Sequence, residues 1–172
     1  MKNYVISGAR HVGKTTMAKK IIANTSKNVY GFMTFKSPEE QESRLYPVYI
    51  GPATAEPKFS EENLVGMCGG KQHYCNIDVF DTLGVELLTT DDPNGLIIMD
   101  ELGFLESDAK IFQAKVFECL AGEIPTVAFI KQRMQIEFMQ KLRDFPGIEY
   151  LELSEENRDE IYERIMNDLM VK

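Results

Sequence analysis

A phosphate-binding loop near the amino terminus constrains the fold more than any other feature of this sequence. The pattern G-x-x-x-x-G-K-[ST] is complete and reads Gly8-Ala9-Arg10-His11-Val12-Gly13-Lys14-Thr15. The apolar run Tyr4-Val5-Ile6 precedes it, and residues 16–22 follow it with apolar side chains at helical spacing. A strand, this loop and a helix in that order aim the N-terminus of the helix at a bound anion. The sequence therefore predicts an α/β domain that binds phosphate groups.

Each fixed position of the loop has a mechanical role. Gly8 and Gly13 leave room for backbone N–H groups to surround triphosphate oxygens, which a side chain would obstruct. Lys14 supplies a positive charge for the β- and γ-phosphates, and Thr15 supplies a hydroxyl group for Mg²⁺. We therefore predict that one continuous segment binds the nucleotide, namely Gly8, Ala9, Arg10, His11, Val12, Gly13, Lys14, Thr15 and Thr16.

An acidic pair follows the most apolar run of the chain. Residues 96–99 are Leu-Ile-Ile-Met, typical of a strand buried on both faces of a parallel sheet, and Asp100 and Glu101 come directly after them. At the carboxyl edge of such a sheet, Asp100 is placed to hold Mg²⁺ through water. Glu101 is placed to orient and deprotonate a water that attacks the γ-phosphorus. We predict the catalytic residues Glu101, Lys14 and Arg10 and the metal ligands Thr15 and Asp100.

A positive charge that stabilises the transition state is common in this chemistry, where an arginine contributes about 10³–10⁵ in rate. The candidates in this sequence are Arg10, Arg44, Arg133 and Arg158. Arg10 and Arg133 rank first, because both are expected at the carboxyl edge of the sheet, where ligands bind. Lys131 and Gln132 lie where related hydrolases often place a polar group that senses the γ-phosphate.

Strands alternate with helices along most of the chain. The predicted strands are 28–35, 44–50, 96–99, 125–130 and 148–152, and the predicted helices are 76–89, 107–121, 132–143 and 155–170. The expected core stripe of helix 107–121 consists of Ile111, Val116, Phe117 and Leu120. This alternation predicts a doubly wound, mainly parallel sheet with helices on both faces, and with the phosphate-binding loop it predicts an α/β fold of the P-loop NTPase type. We expect one domain over residues 1–172.

The region between residues 36 and 70 interrupts the alternation. Strands 28–35 and 44–50 are predicted to form an inserted β-hairpin, and Pro47 indicates that its second strand lies at an edge. Residues 51–70 are predicted to run as a long excursion over the surface, and 36–70 as a whole is expected to face the substrate. Three aromatic residues could stack on a base, although core packing is the simpler interpretation: Tyr46, Tyr49 and Phe59.

Charge and composition argue against several classes of function. Lys and Arg number 19 and Asp and Glu number 27, which gives a net charge of −8. Such a chain would repel nucleic acid and anionic membranes, and no apolar run approaches a membrane-spanning length. The apolar stretch at the start is too short for a signal peptide, and three irregularly spaced cysteines indicate a reducing compartment. We expect a cytoplasmic protein with no nucleic-acid or membrane partner, and its oligomeric state stays open.

Several segments resemble the cancer-related nucleoside-triphosphatase family. The run Asp100-Glu101-Leu102-Gly103-Phe104-Leu105-Glu106, with Phe112 beyond it, is similar to that family's Asp-Glu-Ile-Gly-x-Met-Glu segment. Tyr30-Gly31-Phe32-Met33-Thr34 is similar to its Gly-Phe-x-Thr strand, and residues 153–159 are similar to its late Asn-Arg segment. Tyr74, with Asp78 and Phe80, resembles its tyrosine-containing stretch. The resemblance covers nearly the whole chain.

The resemblance implies a Mg²⁺-dependent hydrolase that converts nucleoside triphosphates, ATP and GTP included, to the diphosphate and phosphate. The chain departs from the family pattern at His11, where glycine is usual, over residues 36–40, and at Tyr46-Pro47. Two other interpretations stay open. One is a small nucleotide or metabolite kinase whose acceptor binds residues 36–70, although a water-activating Glu101 counts against it. The other is a nucleotide-dependent switch or assembly factor.

Overall fold

The computed structural model describes residues 2–37, 45–69, 74–133 and 135–170, which form one α/β unit. Its strands are β1 (Asn3–Gly8), β2 (Asn28–Lys36), β3 (Tyr46–Pro52), β4 (Leu64–Cys68), β5 (Tyr74–Cys75), β6 (Gly95–Leu102), β7 (Thr126–Lys131) and β8 (Ile148–Leu153). Its helices are α1 (Lys14–Asn24), α2 (Ile77–Val79), α3 (Val85–Leu87), α4 (Lys110–Ala121), α5 (Glu137–Arg143) and α6 (Arg158–Met170). A 3₁₀ turn covers Glu61–Asn63, and a π-helical turn over Phe80–Gly84 joins α2 to α3.

The strands form a single mixed sheet in the order β5-β4-β3-β2-β6-β7-β1-β8. The five strands from β2 to β8 in this order pair in parallel, whereas β3, β4 and β5 pair antiparallel. The predicted mainly parallel sheet with an inserted hairpin is therefore confirmed. Because parallel strands end at the same edge, the loops after β1, β6 and β7 meet there.

Helices cover both faces of the sheet, and strand β6 is buried between them. Leu96 and Ile98 belong to the core formed with α1 and α6 on one face. Ile97 and Met99 belong to the core formed with α2 to α5 on the other face. The apolar run of residues 96–99 is thus buried on both sides, as its sequence predicts.

Gly31 sets the approach of β2 to β6. Its φ is +98°, a left-handed conformation that side chains rarely adopt. A Cβ atom at this position would lie 1.9 Å from the carbonyl oxygen of Ile98. The two strands can therefore pair at this point only because residue 31 has no side chain.

The inserted region differs from its prediction in two ways. Strand β3 is not at an edge, because it pairs with β2 on one side and with β4 on the other. Pro47 is tolerated because it lies just past the last β2–β3 pair, where its carbonyl oxygen accepts a hydrogen bond from the Ser37 N–H at 3.1 Å. Residues 51–70 also do not run only over the surface, since 64–68 form β4, in which Gly66 weakens the strand pattern.

Three helices were predicted to begin earlier along the chain than they do in the structure. The observed starts are Lys110 instead of 107, Glu137 instead of 132, and Arg158 instead of 155. In each case hydrogen-bonded turns precede the helix, for example from the N–H of Ala109 to the carbonyl of Glu106 at 3.1 Å. Among the described residues, no helix is long and apolar enough to cross a bilayer.

The core stripe of α4 was predicted wrongly at one position. Ile111 is 62% exposed, whereas its neighbour Phe112 is fully buried. The buried stripe runs through Phe112, Val116, Cys119 and Leu120, whose spacings of three and four residues place them on one face of the helix.

Candidate active site

The phosphate-binding loop lies between β1 and α1 at the carboxyl edge of the sheet. A Cβ atom on Gly8 would come within 2.9 Å of the Val12 side chain and 3.0 Å of the Leu153 carbonyl oxygen, so the loop packs closely against β8. Gly13 has a φ of +107° and His11 a φ of +65°, and these left-handed conformations turn the chain back into α1. The loop therefore has the curled backbone that can surround an anion.

Lys14 is buried beneath this loop, with 6% of its surface exposed. Its ammonium group donates hydrogen bonds to the carbonyl oxygens of Gly8 at 2.7 Å and Ala9 at 2.9 Å. Lys14 Nζ also lies 3.1 Å from Glu101 Oε2. The structure thus brings together the predicted phosphate-binding lysine and the predicted general base.

Asp100 is the most buried acidic group of the site, with 1% exposure. The pKa of its carboxyl group is raised to about 6, mainly by burial. The charge of Glu101 acts in the same direction, whereas a hydrogen bond with the Thr15 side chain and the charge of Lys14 lower the pKa. Among the described residues, no hydrogen-bond donor meets Asp100 Oδ1. A buried, unpaired carboxylate oxygen beside the Thr15 hydroxyl fits the outer shell of a Mg²⁺ site.

A β-bulge presents Glu101 to the same edge. Asp100 pairs with Phe129 and Leu102 pairs with Ile130, so Glu101 is an extra residue in β6 relative to β7. The Glu101 N–H donates to Thr34 Oγ1 at 3.3 Å, which holds the bulge against β2.

Lys131, at the end of β7, is a second cation beside Glu101. Its Nζ lies 3.9 Å from Glu101 Oε1 and 5.1 Å from the centre of the Phe104 ring. A Cβ atom on Gly103 would lie 2.8 Å from Lys131 Cδ, so the absence of a side chain at residue 103 lets the lysine stem pass. One of the two residues predicted to sense the γ-phosphate, Lys131, therefore directs its ammonium group at Glu101.

Glu106 supports the segment after β6 from inside the protein. It is 3% exposed, and its carboxylate accepts a hydrogen bond from the Gly103 N–H. Burial raises the pKa of Glu106 to about 7, although the Gly103 N–H and the charge of Lys131 lower it. Sequence reasoning gave Glu106 no role because no local pattern marks an acidic residue for burial. Its place in the Asp100–Glu106 segment is the one signal that singles it out.

Arg158 approaches the phosphate-binding loop from α6. A Cβ atom on Gly13 would lie 3.7 Å from Arg158 Nη1, so the guanidinium group borders the loop. Asn157 fixes the turn before α6 by accepting from the Ser154 N–H at 2.8 Å and donating to the Glu152 carbonyl at 2.9 Å. No ion pair between described residues involves Arg158. Sequence reasoning named this arginine but ranked it behind two others.

The remaining predicted residues lie at the rim of the site. The exposed members of the loop and the start of α1 are Ala9, Arg10, His11, Thr15 and Thr16. Arg10 makes no ion pair with any described residue. Arg133 lies over the Phe104 ring at 5.4 Å, and Arg44 lies outside the described residues. A catalytic role for Arg10 stays a prediction.

The fold and the loop define an α/β protein of the P-loop NTPase class, and solved structures show the same architecture. The crystal structure of THEP1 from the hyperthermophile Aquifex aeolicus matches 99% of this chain and 100% of its own, with a TM-score of 0.77 and 27% identity. The solution structure of a human cancer-related nucleoside triphosphatase matches 99% of this chain and 98% of its own, with a TM-score of 0.69 and 16% identity. The second likeness shows the fold alone.

The chain belongs to the NTPase family, whose sequence model matches residues 3–166. A nucleoside-triphosphatase THEP1 from Aquifex aeolicus is 30% identical over 180 residues, covering 95% of this chain and 96% of the relative. A protein of the same name from Methanocaldococcus jannaschii is 29% identical over 174 residues, covering 96% and 95%. The family resemblance drawn from the sequence is confirmed.

Proposed function

We propose that this chain hydrolyses nucleoside triphosphates, ATP and GTP among them, to the diphosphate and inorganic phosphate. The observation that carries the proposal is the 3.1 Å contact between Lys14 Nζ and Glu101 Oε2. It sets the ammonium group that would bind phosphates beside the carboxylate that would act on water. The name nucleoside-triphosphatase borne by the relatives supports the same activity.

The site suits Mg²⁺, which takes one or two protein ligands and completes its shell with water and substrate phosphates. The unpaired Asp100 Oδ1 and the neighbouring Thr15 hydroxyl would hold the ion, Asp100 through water. Among the described residues, no group of three or more His, Cys, Asp or Glu side chains could enclose a metal, which agrees with an ion held partly by its substrate. Bound there, Mg²⁺ would neutralise charge on the phosphates.

The reaction follows from the cations and the carboxylate at the sheet edge. On nucleotide binding, Lys14 exchanges its contact with Glu101 for the β- and γ-phosphates, and backbone N–H groups of the loop enclose the same oxygens. The Glu101 carboxylate accepts a proton from water as the water oxygen bonds to the γ-phosphorus. The bond between the γ-phosphorus and the oxygen that bridges the β- and γ-phosphates breaks, and the nucleoside diphosphate leaves with that oxygen. Lys131 remains beside Glu101 and adds positive charge where the γ-phosphate leaves.

Glu101→Gln tests the general base. The amide keeps the size of the side chain but cannot accept a proton, so we expect hydrolysis to slow by roughly 10²–10⁴ while Mg²⁺–nucleotide binding is retained. The measurement is single-turnover phosphate release, with binding followed separately by titration. Glu118→Gln is the matched control, because Glu118 is exposed and its one ion pair with a described residue is with Lys115. Normal turnover by Glu101→Gln would show that another group activates the water.

Substrate range and metal need a separate assay. Phosphate release from ATP, GTP, CTP and UTP, with Mg²⁺ and with chelator, would define both. With γ-labelled ATP, label in inorganic phosphate supports hydrolysis, and label in an acceptor molecule supports a kinase. The odd number and irregular spacing of the three cysteines are the ground on which we propose a cytoplasmic location.

A further inference from the structure

A cavity of about 330 Å³ opens beside the phosphate-binding loop. One wall is the face of α1 that carries Thr15, Lys19 and Ile22. The other walls are residues 33–35 at the end of β2 and residues 53–57 in the loop after β3. Much of this cavity is therefore built by the inserted region that the sequence predicts to face a substrate.

The lining of the cavity suits an uncharged molecule with both apolar and polar groups. Apolar surface comes from Ile22, Met33, Phe35 and Pro57, and hydroxyl groups come from Thr15, Thr34 and Thr54. Among the described residues that line it, Lys19 and Glu56 carry charge, and their charges cancel. An ionic ligand would lose its hydration here without a net opposite charge in return.

An aromatic cluster adjoins the cavity. The Phe35 ring, which forms part of the wall, stacks with Tyr49 at 6.5 Å and meets Phe59 edge-on at 5.7 Å. Phe59 is 48% exposed although it is a large apolar residue. Tyr49 and Phe59 pack against Phe35 and hold its ring in place, so that ring gives a flat ligand a preformed surface in the cavity wall.

The cavity is next to the reacting groups. It lies against one face of α1, whereas α6 packs against a different face of that helix. Thr34, in its wall, accepts the hydrogen bond from the Glu101 N–H, and Thr15 belongs to the phosphate-binding loop. Lys20, beside the cavity residue Lys19, instead lies over the Tyr162 ring of α6 at 3.7 Å. A nucleotide held by the loop and by Arg158 of α6 would leave this side open for another molecule.

We propose that this cavity binds a second, uncharged small molecule with an aromatic ring and at least one hydroxyl group, at the same time as the triphosphate. This inference rests on the proposed function in one respect, that the neighbouring ligand is a nucleoside triphosphate. The apolar walls take the ring, and the hydroxyl groups of Thr34 and Thr54 pair with its polar groups. The Thr15 hydroxyl is left to the Mg²⁺ that accompanies the triphosphate. A ligand seated there lies against Thr15 and Thr34, so its binding is coupled to nucleotide binding and turnover.

The test follows the methyl group of Met33, which lines the cavity, in protein labelled with ¹³C at methionine methyl groups. The probe is 2-phenylethanol, compared with benzoate and benzylamine, which carry the ring with a negative or a positive charge. We expect a saturable shift of the Met33 signal with 2-phenylethanol and weaker responses to the charged probes. The signal of Met139, which is buried in the core on the other face of the sheet, should stay in place. No shift at Met33 would overturn the proposal.

Two further measurements complete the test. In Glu101→Gln protein with Mg²⁺–ATP bound, the probe should still shift Met33; displacement of the probe by ATP would mean that the cavity belongs to the nucleotide and would overturn the proposal. Ala23→Phe fills the cavity from α1 and should abolish the shift without changing basal hydrolysis. Asn24→Phe, one residue further along, is the matched control and should keep the shift. Since the first titration needs no nucleotide, its failure is distinguishable from failure of the proposed hydrolysis.

Discussion

One extra residue in β6 decides which carboxylates reach the phosphate-binding loop. In a regular strand, successive side chains point to opposite faces, so Asp100 and Glu101 would diverge. The bulge at Glu101 changes this direction and brings the two acids to the same loop, Asp100 beside Thr15 and Glu101 beside Lys14. The division of labour that we propose between metal holding and water activation therefore depends on strand pairing as much as on residue identity.

Also at the residue scale, Glu106→Gln should change how stability depends on pH. The pKa of Glu106 is raised in the fold to about 7 from 4.5, so folding favours the neutral acid. The contribution of Glu106 to the free energy of unfolding is fully present below pH 4.5 and is lost as the pH rises to about 7. The loss amounts to roughly 3 kcal/mol, at about 1.4 kcal/mol per pKa unit. Glutamine can still accept the Gly103 hydrogen bond, so the variant should lack this loss.

The measurement is the free energy of unfolding by urea at several pH values from 4.5 to 8, in both proteins. The charges that face Glu106 are Lys131, which lowers its pKa, and Glu101, which raises it, and both stay in the variant. Asp100 also has a raised pKa, but its contribution is common to both proteins and cancels in the difference. Parallel pH profiles would contradict a raised pKa and would show that Glu106 ionises in the fold at or below its ordinary pKa.

The residue scale also shows what sequence can and cannot predict. Lys14 and Glu101 were foreseen because the loop motif and the end of an apolar run have fixed places in such a fold, and the structure sets them 3.1 Å apart. Glu106 was not foreseen, because its burial depends on how the segment after β6 folds back on Gly103. Arg158 was named but ranked behind two other arginines, because its proximity to Gly13 depends on the packing of α6.

At the scale of elements, the start of α6 places the Arg158 guanidinium group beside the phosphate-binding loop. We expect Arg158 to bind the polyphosphate chain, so Arg158→Ala should raise KM by about 10–100-fold, the value of a hydrogen bond to a charged group, and change kcat much less. Arg158→Lys should restore part of the affinity. Steady-state kinetics with ATP separate KM from kcat.

Arg164→Ala is the control on the same helix. Arg164 forms an ion pair with Glu149 at the surface of the helix and is not placed at the phosphate-binding loop. Its loss should therefore leave KM within about twofold, because surface ion pairs contribute little. Binding of inorganic tripolyphosphate should weaken in Arg158→Ala as much as binding of ATP. If only ATP binding weakens, Arg158 contacts the nucleoside and not the phosphates.

Elements built on long apolar or periodic runs were the predictable ones. The sequences of β6 and β7 are continuous apolar runs, which predict buried strands. The helix between them predicts that they pair in parallel, as they do. β4 was missed because a five-residue strand with a central glycine gives almost no periodic signal. The position of β3 was misjudged because the sequence shows a proline but not that its missing N–H lies beyond the end of β2.

At the scale of the whole molecule, an acidic protein binds an acidic ligand through a local collection of cations. The chain carries a net charge of −8, yet Lys14, Lys131 and Arg158 gather at one edge of the sheet. Recognition of a triphosphate therefore depends on short-range contacts within the loop, since the long-range field of the protein opposes the approach of anions.

Ligand binding to one folded unit should stabilise all of it. At 100 times its Kd, a non-hydrolysable ATP analogue with Mg²⁺ contributes about 2.7 kcal/mol, which raises Tm by about 5–10 °C for a chain of this size. Lys14→Ala should abolish the shift, because it removes the ammonium group at the centre of the loop. Differential scanning calorimetry checks both, with each protein without ligand as reference. An equal shift in the variant would contradict the assigned nucleotide site.

Gly31 has a consequence for how variants of this protein are interpreted. Any other residue there would press a carbon atom into the Ile98 carbonyl, 1.9 Å away, and separate the strands that carry Thr34 and Asp100. In a saturation screen for activity, position 31 should tolerate substitution as poorly as the catalytic positions, although it lies in the middle of a strand, away from the loop. Inactivity in such a screen marks participation in chemistry only when the amount of folded protein is measured alongside.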